Sequence, residues 1–154
     1  MKKIKHLTEY CLGCGLCSVY CSAAHAGLPK LDLVKAFKRR TPPPPNVIVE
    51  RGADSAFAAS CHHCTTPYCV MSCITGAMSK DPATGLVSCD TDRCVGCWTC
   101  VAACPYGMVA VVENQSAKPK ANKCDHCNGV SEVPMCVQHC PNEARIWIEE
   151  EAGQ

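Results

Sequence analysis

The chain has 154 residues, 47% of them hydrophobic but only 5% aromatic, so an ordinary apolar core would be thin for its length. Fifteen basic and fourteen acidic side chains leave a formal charge of +1, which gives no support to a nucleic-acid-binding module, and no apolar stretch reaches the length of a transmembrane span. The residue out of proportion is cysteine, with 17 copies.

Read from the N-terminus, short strands and turns flank runs of cysteine. Lys3 to Leu7 reads as a strand, followed by a cysteine run and a helix over Leu16 to His25. Residues 27–46 carry Lys30, Lys35, Lys38, Arg39 and Arg40, then Pro42 to Pro45, and read as a basic connector ending in extended polyproline II. It is taken as a solvated linker, with docking on an acidic partner protein as the competing use. Asn46 to Glu50 is a strand, and the second run leads into a helix over Tyr68 to Ser72. Leu86 to Cys89 is a strand before the third run, whose helix covers Trp98 to Ala103; the strand Met108 to Glu113 follows. A polar connection, Asn114 to Lys123, enters the fourth run with a helix over Val137 to Cys140. A strand at Arg145 to Glu149 and an acidic tail, Glu149 to Glu151, end the chain.

Sixteen cysteines form four groups of four, each ending in two cysteines four residues apart. Cys11, Cys14, Cys17 and Cys21, like Cys94, Cys97, Cys100 and Cys104, are spaced Cys-x2-Cys-x2-Cys-x3-Cys, and Pro105 follows the second of these. Cys61, Cys64, Cys69 and Cys73 stretch the second gap to four residues; Cys124, Cys127, Cys136 and Cys140, followed by Pro141, stretch it to eight. Three thiolates on a tight loop reach three corners of one iron-sulfur cubane, and the fourth, beginning a helical turn, serves the cluster of a partner run. Four runs therefore imply two interlocked units and four [4Fe-4S] clusters.

Other uses of these cysteines fare less well. Disulfides need an oxidising compartment, and Met-Lys-Lys-Ile-Lys-His at the start has no apolar h-region, so the expected location is cytoplasmic. Zinc would suit Cys61-x2-Cys64 or Cys124-x2-Cys127 alone, making a structural zinc protein the remote alternative, but zinc calls for no third and fourth cysteine at these intervals. With clusters in place the charge falls from +1 to roughly −7, and the apoprotein should be largely unfolded, because metal-binding energy is then folding energy.

The order of the four runs resembles that of four-cluster electron-transfer subunits, as do the phrases Cys-His-His-Cys-Thr-Thr-Pro-Tyr-Cys at Cys61 to Cys69, Asp92-Arg93-Cys94-Val95-Gly96-Cys97 and Lys123-Cys124-Asp125-His126-Cys127. Such chains accompany DMSO reductase, formate dehydrogenases, hydrogenases, carbon monoxide dehydrogenase and tungsten aldehyde oxidoreductases. The resemblance covers roughly Ile4 to Ile148 and implies an α+β fold of two nested bacterial-ferredoxin-like units built from βαβ-type repeats. Residues 1–26 with 114–154 would form the outer unit, 47–113 the inner one. It also implies the ligand sets: Cys11, Cys14, Cys17 and Cys140; Cys124, Cys127, Cys136 and Cys21; Cys61, Cys64, Cys69 and Cys104; Cys94, Cys97, Cys100 and Cys73. The implied partners are a catalytic redox subunit with molybdenum, tungsten or nickel, together with an electron acceptor subunit or ferredoxin. The leaning is toward a tungsten aldehyde oxidoreductase, and stacked copies would lengthen the wire.

A cubane with thiolate at every corner offers no open iron for substrate, so the expected role is conduction without catalysis. A free diffusible polyferredoxin is the alternative. His62, His63, His126 and His139 lie in or beside the runs and read as structural or hydrogen-bonding groups, and Trp98 as a shield against water. Gly13, Gly15, Gly96 and Gly129 read equally as amide donors to sulfur or as turn formers. Cys89, left over, reads as a buried small hydrophobe.

Overall fold

The computed structural model describes residues 2–28, 30–38, 43–113 and 118–149. The elements in chain order are β1 (Lys2–His6), α1 (Leu16–Ala24), α2 (Leu33–Lys38), β2 (Val47–Arg51), β3 (Ala56–Ser60), α3 (Tyr68–Met71), β4 (Met78–Lys80), β5 (Val87–Cys89), α4 (Thr99–Ala103), β6 (Ala110–Val112), β7 (Lys120–Asn122), α5 (Met135–Gln138) and β8 (Arg145–Glu149). This is a small α+β fold.

The strands form four two-stranded sheets, β1–β8, β2–β3, β4–β5 and β6–β7, all antiparallel. Strand and helix alternate as expected, but the parallel pairing implied by a βαβ repeat does not occur. Helices of four to nine residues are too short to carry the chain across a sheet into a parallel neighbour. The β1–β8 pair joins the two ends of the described chain, from Lys2 opposite Glu149 to His6 opposite Arg145. Helix α1 packs on α5, and α3 on α4, bringing the first run to the fourth and the second to the third.

Three strands and one helix were not visible in the sequence. Strand β3 reads Ala-Phe-Ala-Ala-Ser, without β-branched residues; it is held by β2 and a turn in which the Gly52 amide donates to the Ser55 carbonyl at 2.7 Å. Strands β4 and β7 have three residues each, below the span on which alternation can be read. Helix α2 interrupts what was expected to be a plain connector. Asp32 Oδ1 caps it by accepting the Lys35 amide at 2.9 Å, and Ala36, 1% exposed, packs with Ala23 and Ala26 against α1. Arg39, Arg40, Pro42, residues 114–117 and the acidic tail beyond Glu149 lie outside the described residues.

No single apolar core forms. One buried cluster gathers Ala77, Met78, Cys94, Cys100, Val109 and Ala121; another gathers Cys17, Cys21, Val47, Ala58 and Cys136. The largest side chains below 2% exposure are Val47, Val87 and Pro134. Small residues and sulfur thus fill the interior where a larger core would carry aromatics.

Candidate metal centres

Each run is bent by the same device. The residue just before its second cysteine is left-handed: Gly13 (φ 62°), His63 (φ 46°), Gly96 (φ 71°) and His126 (φ 58°). This turns the loop around its own sulfurs. A Cβ at Gly13 would lie 2.8 Å from the Ala56 Cβ, and one at Gly96 2.7 Å from the Pro119 carbonyl oxygen, so glycine is required there by space as well as by φ. At 63 and 126 histidine accepts roughly 1–2 kcal/mol of backbone strain each. Trp98 (φ 63°) then starts α4 as Gly15 (φ 81°) starts α1, while Pro67 and Pro134 precede α3 and α5.

The fold gathers the sulfurs in fours. Cys11, Cys14, Cys17 and Cys140 line one cavity of about 350 Å3. Cys61, Cys64, Cys69 and Cys104 line a second of about 380 Å3. Cys73, Cys94, Cys97 and Cys100 line a third of about 320 Å3, together with Cys89. Cys21, Cys124, Cys127 and Cys136 are all buried and interact electrostatically with one another where α1 meets α5. In every quartet three sulfurs come from one run and the last from another. Cys14 and Cys97 are the exposed members.

Backbone and hydroxyl donors point at these sulfurs. Amides of Asn46, Met78 and Met108 donate to Cys21, Cys73 and Cys104 at 3.3, 3.4 and 3.3 Å, so the fourth cysteine of three runs receives the same support. The His63 amide donates to Cys61 at 3.4 Å, and the Thr99 hydroxyl to Cys97 at 3.4 Å. None of these donors is one of the expected glycines. Burial pushes the thiols of Cys17, Cys69, Cys100, Cys124 and Cys136 up, and that of Cys127 up to about 11. Such thiols ionise when a metal takes the place of the proton. The hydrogen bond from Thr99 holds the Cys97 thiol lower.

Two buried cations stand beside the sulfurs. Arg145, 2% exposed, donates from Nη1 to the Ala58 carbonyl and from Nη2 to Ser60 Oγ, both at 2.7 Å, and is within hydrogen-bonding reach of Cys136. Its Nε finds no protein partner. Lys123, 4% exposed, donates to the Val87 carbonyl at 2.9 Å and lies near Cys69. Buried cations call for anions nearby, and an anionic iron-sulfur core within each thiolate quartet meets that need. The donor set therefore fits such clusters. Neither cation was singled out as functional from the sequence, because a lysine or arginine in a strand or polar segment ordinarily faces solvent.

The histidines serve the scaffold. His63 Nδ1 accepts the Val87 amide at 2.9 Å, and burial, with the neighbouring His126 and Lys123, drives its pKa down to about 2. His62 stacks on Tyr106 and His139 on Tyr20, with ring centroids 4.3 and 3.7 Å apart. His25 links α1 to the fourth run, its Nε2 lying 3.1 Å from Asp125 Oδ1 and its Nδ1 2.7 Å from the Cys21 carbonyl. Two mixed groups, His63 with Cys124 and His126, and His25 with Asp125 and Cys127, have zinc-like donors within 4.8 Å of one another. Each would take a cysteine from the buried quartet. Trp98 lines the third cavity as expected.

Sulfur quartets built from interleaved runs, with donors aimed at sulfur and cations at their side, define an iron-sulfur protein of ferredoxin type. The chain belongs to the 4Fe-4S dicluster domain family, which matches residues 54–150. It is 35% identical over 151 residues to "Electron transport protein HydN" of Escherichia coli (strain K12), across 90% of this chain and 83% of that protein. It is 36% identical over 120 residues to a probable iron-sulfur protein subunit of the Frd operon of Proteus vulgaris, covering 70% of this chain and 75% of that one. "Protein NrfC" of E. coli (strain K12) is 32% identical, over 90% of this chain and 61% of its own length. Among the described residues no helix is long and apolar enough to cross a membrane.

Proposed function

We propose that this chain is a non-catalytic electron-transfer subunit that relays single electrons through four [4Fe-4S] clusters, one in each cysteine quartet. The gathering of sixteen cysteines into four interleaved quartets carries the reading. Residues 1–26 and 114–154 make the outer unit, 47–113 the inner one, and 27–46 the connector. Electrostatic neighbours order the relay: Cys17 senses Cys136, Cys124 senses Cys61, and the second and third runs share the remaining two quartets. The electron enters and leaves at the two quartets with an exposed cysteine, Cys14 and Cys97, and passes through the buried interior. The clusters supply the one-electron chemistry. The protein fixes their spacing, excludes water, donates hydrogen bonds to sulfur and offsets negative charge with Arg145 and Lys123.

The relatives named as an electron transport protein and an iron-sulfur subunit support a fixed place between two partners. One is a catalytic redox subunit with molybdenum, tungsten or nickel, and the other an electron acceptor subunit or ferredoxin. The choice of a tungsten aldehyde oxidoreductase rests on the sequence resemblance alone. A cytoplasmic location belongs to the same proposal, since these thiols must stay reduced to bind iron. Anaerobic purification from the native host tests it, with iron and sulfide counted per chain and co-purifying polypeptides identified. About sixteen irons with a redox enzyme attached is the expected result. Iron without a companion would favour a diffusible polyferredoxin, and zinc in place of iron would overturn the reading.

A further inference from the structure

The third cavity contains five thiols, where the first and second contain four each. The extra one is Cys89, at the end of β5 and opposite Met78 of β4. It is half-buried, packs against the core around Cys94 and Cys100, and lies within hydrogen-bonding reach of the Cys94 sulfur. The backbone brings the pair together. The Asp90 amide donates to the Ala77 carbonyl at 2.8 Å, fixing the end of β5, and the Cys94 amide donates to the Asp90 carbonyl at 3.1 Å. Asp90 Oδ1 also accepts the Asp92 amide at 2.9 Å, so one tight turn folds Cys94 back beside Cys89. Exposed Cys97 is anchored separately, by the Thr99 hydroxyl.

We propose that Cys89 is a reserve ligand for the iron corner held by Cys94. The inference rests on the cluster assignment proposed above for this quartet. In the exchange the iron–sulfur bond to Cys94 breaks and one to Cys89 forms. The proton of the Cys89 thiol passes to the departing Cys94 sulfur. No electron moves, the net charge of the site is unchanged and no co-reactant is needed. The fifth thiol keeps this cluster in place when Cys94 is lost, whereas the first quartet, with four sulfurs, has no such replacement.

The test compares full-length holoproteins purified anaerobically: the native chain, Cys94→Ala, Cys89→Ala, the Cys94→Ala/Cys89→Ala double variant, and Cys11→Ala in the four-thiol first cavity. Iron and sulfide per chain are counted and the reduced proteins examined by electron paramagnetic resonance. Cys94→Ala and Cys89→Ala should each keep about sixteen irons, the first with an altered signal from one cluster, while the double variant and Cys11→Ala each lose about four. A Cys94→Ala protein that loses as much iron as the double variant overturns the inference. A native chain with far fewer than sixteen irons overturns the cluster assignment instead. Should Cys94→Ala fail to accumulate, a chelator challenge decides. From Cys89→Ala about a quarter of the iron should leave several-fold faster than from the native protein, and equal rates would refute a reserve role.

Discussion

Replacing Arg145 with methionine removes a buried positive charge while keeping most of the side-chain volume. The guanidinium acts on Cys17 of the first quartet and Cys136 of the buried one, and its burial leaves little water to screen it. For an added electron spread over a cluster about 6 Å away, with an effective dielectric constant of about 20, the lost attraction is about 3 kcal/mol. For a one-electron couple, where 59 mV is a factor of ten, that corresponds to a potential about 120 mV more negative. Potentiometric titration followed by electron paramagnetic resonance should show two of four potentials moving by about 100 mV and the others by little, because distance and intervening sulfur screen them. Arg145→Lys retains the charge and should shift less than half as far. Iron content must stay at the native level for the comparison to count. An unchanged set of potentials, or an equal shift in all four, would refute the placement of this charge.

Gly96→Ala puts a Cβ 2.7 Å from the Pro119 carbonyl oxygen at φ 71°, and should cost about 2 kcal/mol or more, read as selective loss of about four irons during purification. His25→Ala removes the charge-assisted bridge to Asp125 and should speed iron release to a chelator by roughly tenfold, for a bond contributing about 1.5 kcal/mol. Stripping the iron should abolish most secondary structure by circular dichroism, since helices of four to nine residues and two-stranded sheets do not persist alone. An apoprotein that keeps its native spectrum would show that the chain has a sufficient core without metal.

Cysteine spacing showed where chemistry lies because the loops are local. A sulfur three residues from the next, with a left-handed residue between, is short-range geometry, and Gly13 and Gly96 mark it openly. His63 and His126 take the same conformation without any sequence sign. Strands β1, β2 and β8 were readable from β-branched and alternating residues. Strand β3 was not, because Ala58 is small to suit the wall of the first cavity, and that demand erases the β-propensity signal. Helix α2 did leave a trace, Asp32 followed by apolar residues three apart, hidden among prolines and lysines.

The sequence by itself determined the number of thiols, their grouping and the ferredoxin-like character, because these depend on residues close together in the chain. It could not determine from spacing which run lends its last cysteine to which, that Lys123 and Arg145 are buried beside sulfur, or that Cys89 shares a cavity with four others. Those facts depend on α1 meeting α5, on β1 pairing with β8 and on the turn from Asp90 to Cys94. Burial and charge proximity are set by contacts between residues as far apart as His25 and Asp125, and only the folded chain brings such groups together.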